Sequence, residues 1–322
     1  MAKKYGILIV NLGSPDKLSV SAVRRFLRRF LSDTRVVNLP RIIWWPILNF
    51  VILPFRPFKS AKAYAEIWRE QGSPLTVLTQ ALVDKLQANL DKSYDVKMAM
   101  SYSQPDINTQ LAYFKQQQYE QLVVLPLYPQ YSSTTTASVF DAVTQAVQKW
   151  RYVPNIDFIS DYYQHPLYID AIAQTIKQAW KQSPKNELLL LSFHGLPEKL
   201  TEWGDPYFNQ CHKTAELIAQ QLKLPSTQWK IVFQSRFGRA KWLQPYCIET
   251  LMALPESGVK SVDIICPGFA VDCLETLEEI NMTNKGIFLE AGGEEYRYIE
   301  ALNDSDEQIT LMVDLVTKKV GK

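Results

Sequence analysis

Residues 187–197 read Glu-Leu-Leu-Leu-Leu-Ser-Phe-His194-Gly195-Leu-Pro197, and this stretch decides the fold class. A near-continuous apolar run of strand length marks a parallel strand buried on both faces. Glycine and proline just past it punctuate the end of the element. His194 is therefore expected at the carboxyl end of a central strand, where open α/β sheets bind their ligands. The chain holds three histidines in 322 residues, and this is the one whose place the sequence fixes.

Working outward, strand-like runs recur at 5–10, 96–100, 122–127, 156–159, 187–193, 230–233 and 262–266. Between them lie amphipathic helical patterns at 21–31, 74–91, 137–150, 166–180 and 214–222. Strands alternating with helices of this length predict right-handed βαβ units and parallel sheets, an α/β fold. The two halves share one grammar. Gly6-Ile-Leu-Ile-Val-Asn-Leu-Gly13-Ser-Pro15 has the form of the 187–197 stretch, and 122–129 parallels 262–269. Two similarly wound domains are expected, 1–160 and 161–322, with their strand ends turned toward one cleft. A last helix, over 294–302 or 308–318, is a candidate to pack back on the first domain.

Composition narrows the function. Thirty-five basic residues against 33 acidic ones leave a net charge of +2, with no basic stripe of the kind nucleic acid requires. The amino-terminal apolar run is short and reads as a first strand, not a signal peptide. Four cysteines, Cys211, Cys247, Cys266 and Cys273, contain no C-x-x-C pair, which disfavours a zinc ribbon or redox dithiol. Reduced thiols and a cytoplasmic location are the expectation. No G-x-G-x-x-G or G-x-x-x-x-G-K-[ST] occurs, which points away from nucleotides. The absence of H-E-x-x-H and G-x-S-x-G disfavours zinc hydrolases and α/β-hydrolases.

The longest apolar stretch, Ile42 to Phe55, is interrupted by Pro46 and Asn49 and falls short of the ~20 residues a membrane span needs. Its paired tryptophans and flanking Arg41, Arg56 and Lys59 leave two readings open. It is either buried core or an exposed lip that meets a membrane interface or an apolar ligand.

The second chemical signal is Asp272-Cys-Leu-Glu275-Thr-Leu-Glu278-Glu279, following a strand and opening a helix. One reading is a capping box, with Asp272 at the N-cap and Glu275 at N3. The other is an acidic site, because like-charged neighbours three and four apart cost ~0.2–0.5 kcal/mol each on a free helix, and a cation or proton relieves them. His194 is likewise either a core histidine or a functional one; His212 reads as structural and His165 as a surface turn. An imidazole can take a proton or ligate a metal. One imidazole and a line of carboxylates across an aromatic cleft suit metal insertion into a tetrapyrrole, in which two pyrrole N–H protons leave as the cation enters.

On these residues the chain resembles the ferrochelatases over nearly its whole length. Gly6–Pro15, Gly72-Ser-Pro-Leu75, Tyr128-Pro-Gln-Tyr-Ser132, Ser192–Pro197, Gly204-Asp-Pro-Tyr207 with Cys211, and Asp272–Leu277 fall in the family's order. The resemblance implies two Rossmann-like, chelatase-type domains holding protoporphyrin IX in the cleft between them, with Fe2+ inserted to give protohaem. It makes His194 the proton acceptor and metal contact, Glu275 the metal-handling carboxylate across the macrocycle, and Asp272 and Glu279 an acidic pathway. Leu12, Tyr102, Tyr128 and Trp242 would line the porphyrin, and residues 42–58 the active-site lip, in peripheral contact with the inner face of the membrane. The sequence departs from some members at Ser101, where a basic residue meets a propionate, and at Cys273, where a histidine stands. Ser133 replaces a candidate cluster cysteine and the chain ends at Lys322 without a cysteine-bearing tail, so no iron–sulfur cluster or other permanent cofactor is expected. The alternatives are a coproporphyrin ferrochelatase, a chelatase for another divalent metal, or a non-catalytic haem or porphyrin carrier.

Overall fold

The computed structural model describes residues 4–238 and 240–320. They form two compact units: Met1–Tyr128, Ser132–Asp161 and Asp304–Lys322 make the first, Pro129–Tyr131 and Tyr162–Asn303 the second. The chain leaves the first unit near residue 161, builds the second, and comes back at Asp304.

In the first unit, β1 (Tyr5–Asn11), β2 (Tyr94–Met100), β3 (Gln121–Pro126) and β4 (Asn155–Phe158) form a sheet of order β2-β1-β3-β4. All its pairings are parallel. Ile7, Leu8, Ile9 and Val10 are fully buried, as a strand covered on both faces requires. The helices Ile107–Gln117 and Thr136–Val147 cover one face, packing Leu111, Phe114, Val139 and Val143 on Leu8, Val10 and Val124. On the amphipathic helix Val20–Leu31, Ser19 caps the first turn and the side chains Ala22, Val23, Phe26, Leu27 and Leu31 are buried. That is the three-and-four spacing of a single apolar stripe.

The second unit repeats the winding. β5 (Leu188–His194), β6 (Trp229–Gln234), β7 (Ser261–Ile265) and β8 (Glu295–Ile299) pair in parallel in the order β6-β5-β7-β8. β8 corrects one of the two placements for the last helix: residues 295–299 are an edge strand, and the helix is Asp306–Thr317. Glu-Tyr-Arg-Tyr-Ile lacks the apolar run of a central strand because an edge strand is only half covered. Arg297 is held instead by Asp263, its direct partner on β7, with Nε 2.7 Å from Oδ1.

The stretch around 42–58 is a single helical run. An α-helical turn, Arg41–Pro46, passes into a π-helical segment, Ile47–Ile52, and then into the α-helix Leu53–Ile67. Pro46 closes the first of these segments, and Asn49 and Pro57 are accommodated within the later two. Asn49 Nδ2 donates to the Trp45 carbonyl at 2.9 Å. Pro57 has no N–H for the Leu53 carbonyl, and Arg24 Nε takes that place at 3.0 Å. Burial is split along the stretch: Trp44 and Leu48 are buried, while Ile42, Trp45, Phe50, Val51, Phe55 and Phe58 are exposed. Among the described residues no helix is long and apolar enough to cross a membrane.

Candidate active site

A sheet of order 2-1-3-4 has its topological switch point between its first and third strands, and ligands bind beyond the carboxyl ends there. In the second unit those strands are β5 and β7. His194 is the last residue of β5. The chain leaving β7 runs through Cys266-Pro-Gly-Phe269 into a π-helix, Glu275–Asn284. Histidine and carboxylates are thus delivered to one place by the two strands that flank the switch.

His194 is half-buried. Its Nδ1 lies 2.6 Å from the Gly195 carbonyl oxygen. A carbonyl can only accept, so Nδ1 carries a hydrogen, and in the neutral ring the lone pair sits on Nε2. Tyr207 donates its phenol to the His194 carbonyl at 3.0 Å, and Phe269 stands 6.4 Å from the imidazole, ring to ring. Gly195 is required by close approach: a Cβ there would meet the Gln234 carbonyl at 2.6 Å.

The acidic run does not form a capping box. The Cys273 amide donates to Thr276 Oγ1 at 3.0 Å, and Thr276 Oγ1 donates to Asp272 Oδ1 at 2.8 Å. Threonine fills the role expected of Glu275. Asp272 is buried and both its oxygens are engaged, Oδ1 accepting also from the Tyr298 phenol and Oδ2, at 2.8 Å, from Asn303 Nδ2. Glu275, Glu278 and Glu279 are half-buried at the opening of the π-helix. With about 4.4 residues per turn (i→i+5 bonding), that helix keeps Glu275 and Glu279 neighbours, and such segments are frequent at functional sites.

Glu279 is the electrostatic centre of the group. Both its oxygens are held by Ser235, one by the amide at 2.7 Å and the other by the hydroxyl. Burial raises its pKa above the usual carboxylate value, and the charge of Glu275 raises it further; Ser235's hydrogen bonds and the nearby His194 oppose the shift. Ser235 sits in the left-handed region, φ +63, uncommon for a non-glycine residue and a form of strain that clusters at functional sites. Trp242 lies over the turn after His194: it bridges to Pro197, and Leu243 donates to the Leu196 carbonyl at 2.9 Å.

In the first unit, Leu12 and Tyr128 follow β1 and β3, the strands flanking that sheet's switch point, and Tyr102 follows β2. Asn11 Oδ1 accepts from the Leu12 amide at 2.8 Å, and the Tyr102 amide donates to the Leu12 carbonyl at 3.0 Å. The Tyr102 phenol donates to Asp33 at 2.7 Å. Burial, then the Asp33 charge, pushes its pKa up, so it remains a donor. Sequence reasoning missed Gln234, Ser235, Ser192 and Phe269. The available signal was Phe233-Gln-Ser235, a polar pair closing an apolar strand as His194 closes β5. Among the described residues no group of three or more His, Cys, Asp or Glu side chains is spaced to hold a metal ion.

Comparison with known proteins matches the family model described as ferrochelatase to residues 4–320. The chain belongs to the ferrochelatase family. A ferrochelatase of Nitrosococcus oceani is 50% identical over 320 residues, covering 98% of this chain and 87% of that protein. One from Methylococcus capsulatus is 50% identical over 315 residues, covering 98% and 96%. Among solved structures, the chain resembles SirB from Bacillus subtilis with Fe3+ at a TM-score of 0.61 and 12% identity, over 99% of this chain and 96% of that one. It resembles CbiX, described as the terminal enzyme for biosynthesis of sirohaem in denitrifying bacteria, at 0.54 and 12%, over 98% and 100%. At that identity these two establish the fold, a two-domain chelatase fold, and nothing more. Family membership makes the protein an enzyme, a metal chelatase of the lyase class that inserts a metal ion into a porphyrin.

Proposed function

We propose that this chain inserts Fe2+ into protoporphyrin IX, giving protohaem and releasing the two pyrrole N–H protons. The observation that carries the reading is the meeting, at one switch point of a ferrochelatase-family chain, of an imidazole oriented through its Nδ1 and a row of half-buried carboxylates. In this reading His194 accepts pyrrole protons and contacts the metal. Glu275 handles cation or proton opposite it, and Glu279 and Asp272 continue the acidic row, Asp272 chiefly as its anchor since both its oxygens are held by Thr276, Tyr298 and Asn303. Leu12, Tyr102, Tyr128 and Trp242 line the porphyrin. No iron–sulfur cluster takes part. The exposed apolar side chains of residues 42–58 favour protoporphyrin, which carries two fewer carboxylates than coproporphyrin. They also support a cytoplasmic protein that touches the inner face of the membrane through that stretch.

The test is anaerobic Fe2+ insertion into protoporphyrin IX and coproporphyrin III side by side, followed by the loss of porphyrin fluorescence. Protoporphyrin is expected to be the better substrate. His194→Ala is expected to lose at least ~100-fold in rate, the scale of a lost general base, with its melting temperature near that of the wild type. Wild-type turnover by His194→Ala refutes the role of the imidazole, and a clear preference for coproporphyrin replaces the substrate.

A further inference from the structure

One buried side chain touches both halves of this site. Gln234, the last residue of β6, is 2% exposed. On the histidine side, its Oε1 accepts from the Ser192 hydroxyl at 2.8 Å, and its carbonyl accepts from the Gly195 amide at 2.8 Å. Ser192 and Gly195 bracket His194 in sequence. On the acidic side, Gln234 Nε2 donates to the Glu275 carbonyl at 3.0 Å and reaches Glu279 Oε2 at 3.5 Å. The next residue, Ser235, turns through the left-handed region and grips both oxygens of Glu279. β5 and the π-helix are therefore tied to each other through a single amide, whose donor and acceptor ends face opposite partners.

We propose that Gln234 is the positioning residue that sets the separation between His194 and the carboxylates of the π-helix, and thereby which divalent cation the site inserts and how fast. The inference rests on the proposed roles of His194 and Glu275. A planar amide is suited to the task because it offers an acceptor to Ser192 and a donor to Glu275 from opposite corners of one rigid group. A carboxylate lacks the donor, and an apolar side chain lacks both. In a buried site neither deficit is made good by water, so the strand and the helix settle at a new distance.

The experiment uses the full chain and measures steady-state insertion of Fe2+, Zn2+ and Co2+ into protoporphyrin IX by wild type, Gln234→Met and Ser192→Ala. Gln234→Met keeps length and volume but removes both hydrogen-bonding ends. Ser192→Ala cuts only the tie on the histidine side and protects the test should the first variant fold poorly. For Gln234→Met, kcat per folded molecule is expected to fall roughly tenfold or more, since displacements near 1 Å at a reacting centre cost up to ~100-fold. The ratio of Fe2+ to Zn2+ rates is expected to shift by at least about threefold, with porphyrin KM within about twofold of wild type. Ser192→Ala is expected to move the ratio in the same direction by less. A purely structural glutamine would lower the melting temperature and the folded fraction but leave the metal ratio untouched, and that result overturns the proposal. A wild type that inserts none of the three metals overturns the underlying functional reading and the positioning role with it. A wild type that inserts metals at a ratio unchanged in both variants overturns the positioning role alone.

Discussion

At the scale of the residue, the site spends stability on Glu279. A carboxylate half-buried beside Glu275 is harder to ionise than a free one, because burial removes the water that would solvate its charge. Its folded pKa is raised above the ordinary glutamate value of 4.5. Well below pH 4.5 both folded and unfolded chains hold the proton and the group is neutral in its effect. As pH climbs through the folded pKa, the native state must carry a poorly solvated charge, so this group lowers stability with rising pH. Glu279→Gln removes that penalty while keeping the shape that Ser235 grips. The variant is expected to melt roughly 2 °C or more above wild type at pH 7, with the difference shrinking toward pH 4.5, and to insert metal more slowly at every pH. Melting curves across that range, paired with insertion assays, check both halves; a Tm gain that persists undiminished at pH 4.5 contradicts the burial account. Asp272 shows why sequence alone blurs these carboxylates. Asp272, Glu275 and Glu279 stand at helical spacing in one acidic run, and only packing against Tyr298, Asn303 and Thr276 separates a spent acceptor from one facing a histidine.

At the scale of the element, the central strands were legible and the irregular ones were not. β1, β3, β5 and β7 stand out because burial on both faces demands near-continuous apolar runs, interrupted by Ser192 in β5 and Asp263 in β7; β2, β4 and β6 carry shorter legible runs, whereas the edge strand β8 is half covered and pinned by the Asp263–Arg297 pair. π-helical segments leave no such mark, since their widened turn is a matter of i→i+5 bonding and not of apolar period. The helical run over residues 41–67 could be read either way because its exposure is split within one dipeptide: Trp44 donates its indole N–H to the Leu31 carbonyl at 2.6 Å, while Trp45 is 59% exposed and meets Phe50 edge-on. From Thr34 to Ala65 there is no acidic residue, against Arg35, Arg41, Arg56, Lys59 and Lys62. Exposed rings in a positively charged surround are what an anionic bilayer attracts. Phe50→Ser with Phe55→Ser is expected to reduce binding to vesicles containing phosphatidylglycerol by roughly tenfold or more, as each buried ring contributes ~1.5–3 kcal/mol. Co-sedimentation measures it, and equal binding by wild type and variant removes the membrane contact from the proposal.

At the scale of the whole molecule, the order of elements along the chain does not match the order of folding units. Residues from Asp304 onward complete the first unit after the second has been built. The helix Asp306–Thr317 buries Ile309, Leu311, Met312 and Val316 and packs beside the helix Pro74–Asn89. Lys85 fastens the junction, its Nζ 2.7 Å from Asp306 Oδ1 and 2.7 Å from the Asp304 carbonyl. Composition could suggest such a return, but the choice of which unit receives the last helix depends on which open apolar face remains, and that is a property of the folded sheet. Ending the chain after Asn303 strips that face of its cover while leaving β5 to β8 and their site complete. Each deleted core side chain is worth ~1.5–3 kcal/mol of burial, so the loss approaches the ~5–15 kcal/mol that holds a whole domain together. Amide hydrogen exchange in the truncated chain is expected to quicken through β1 and the helix Pro74–Asn89 while β5 and β7 keep wild-type protection. Exchange that quickens equally in β5 would show the two units to fold as one, and would move the return helix from local cover to a determinant of the entire fold.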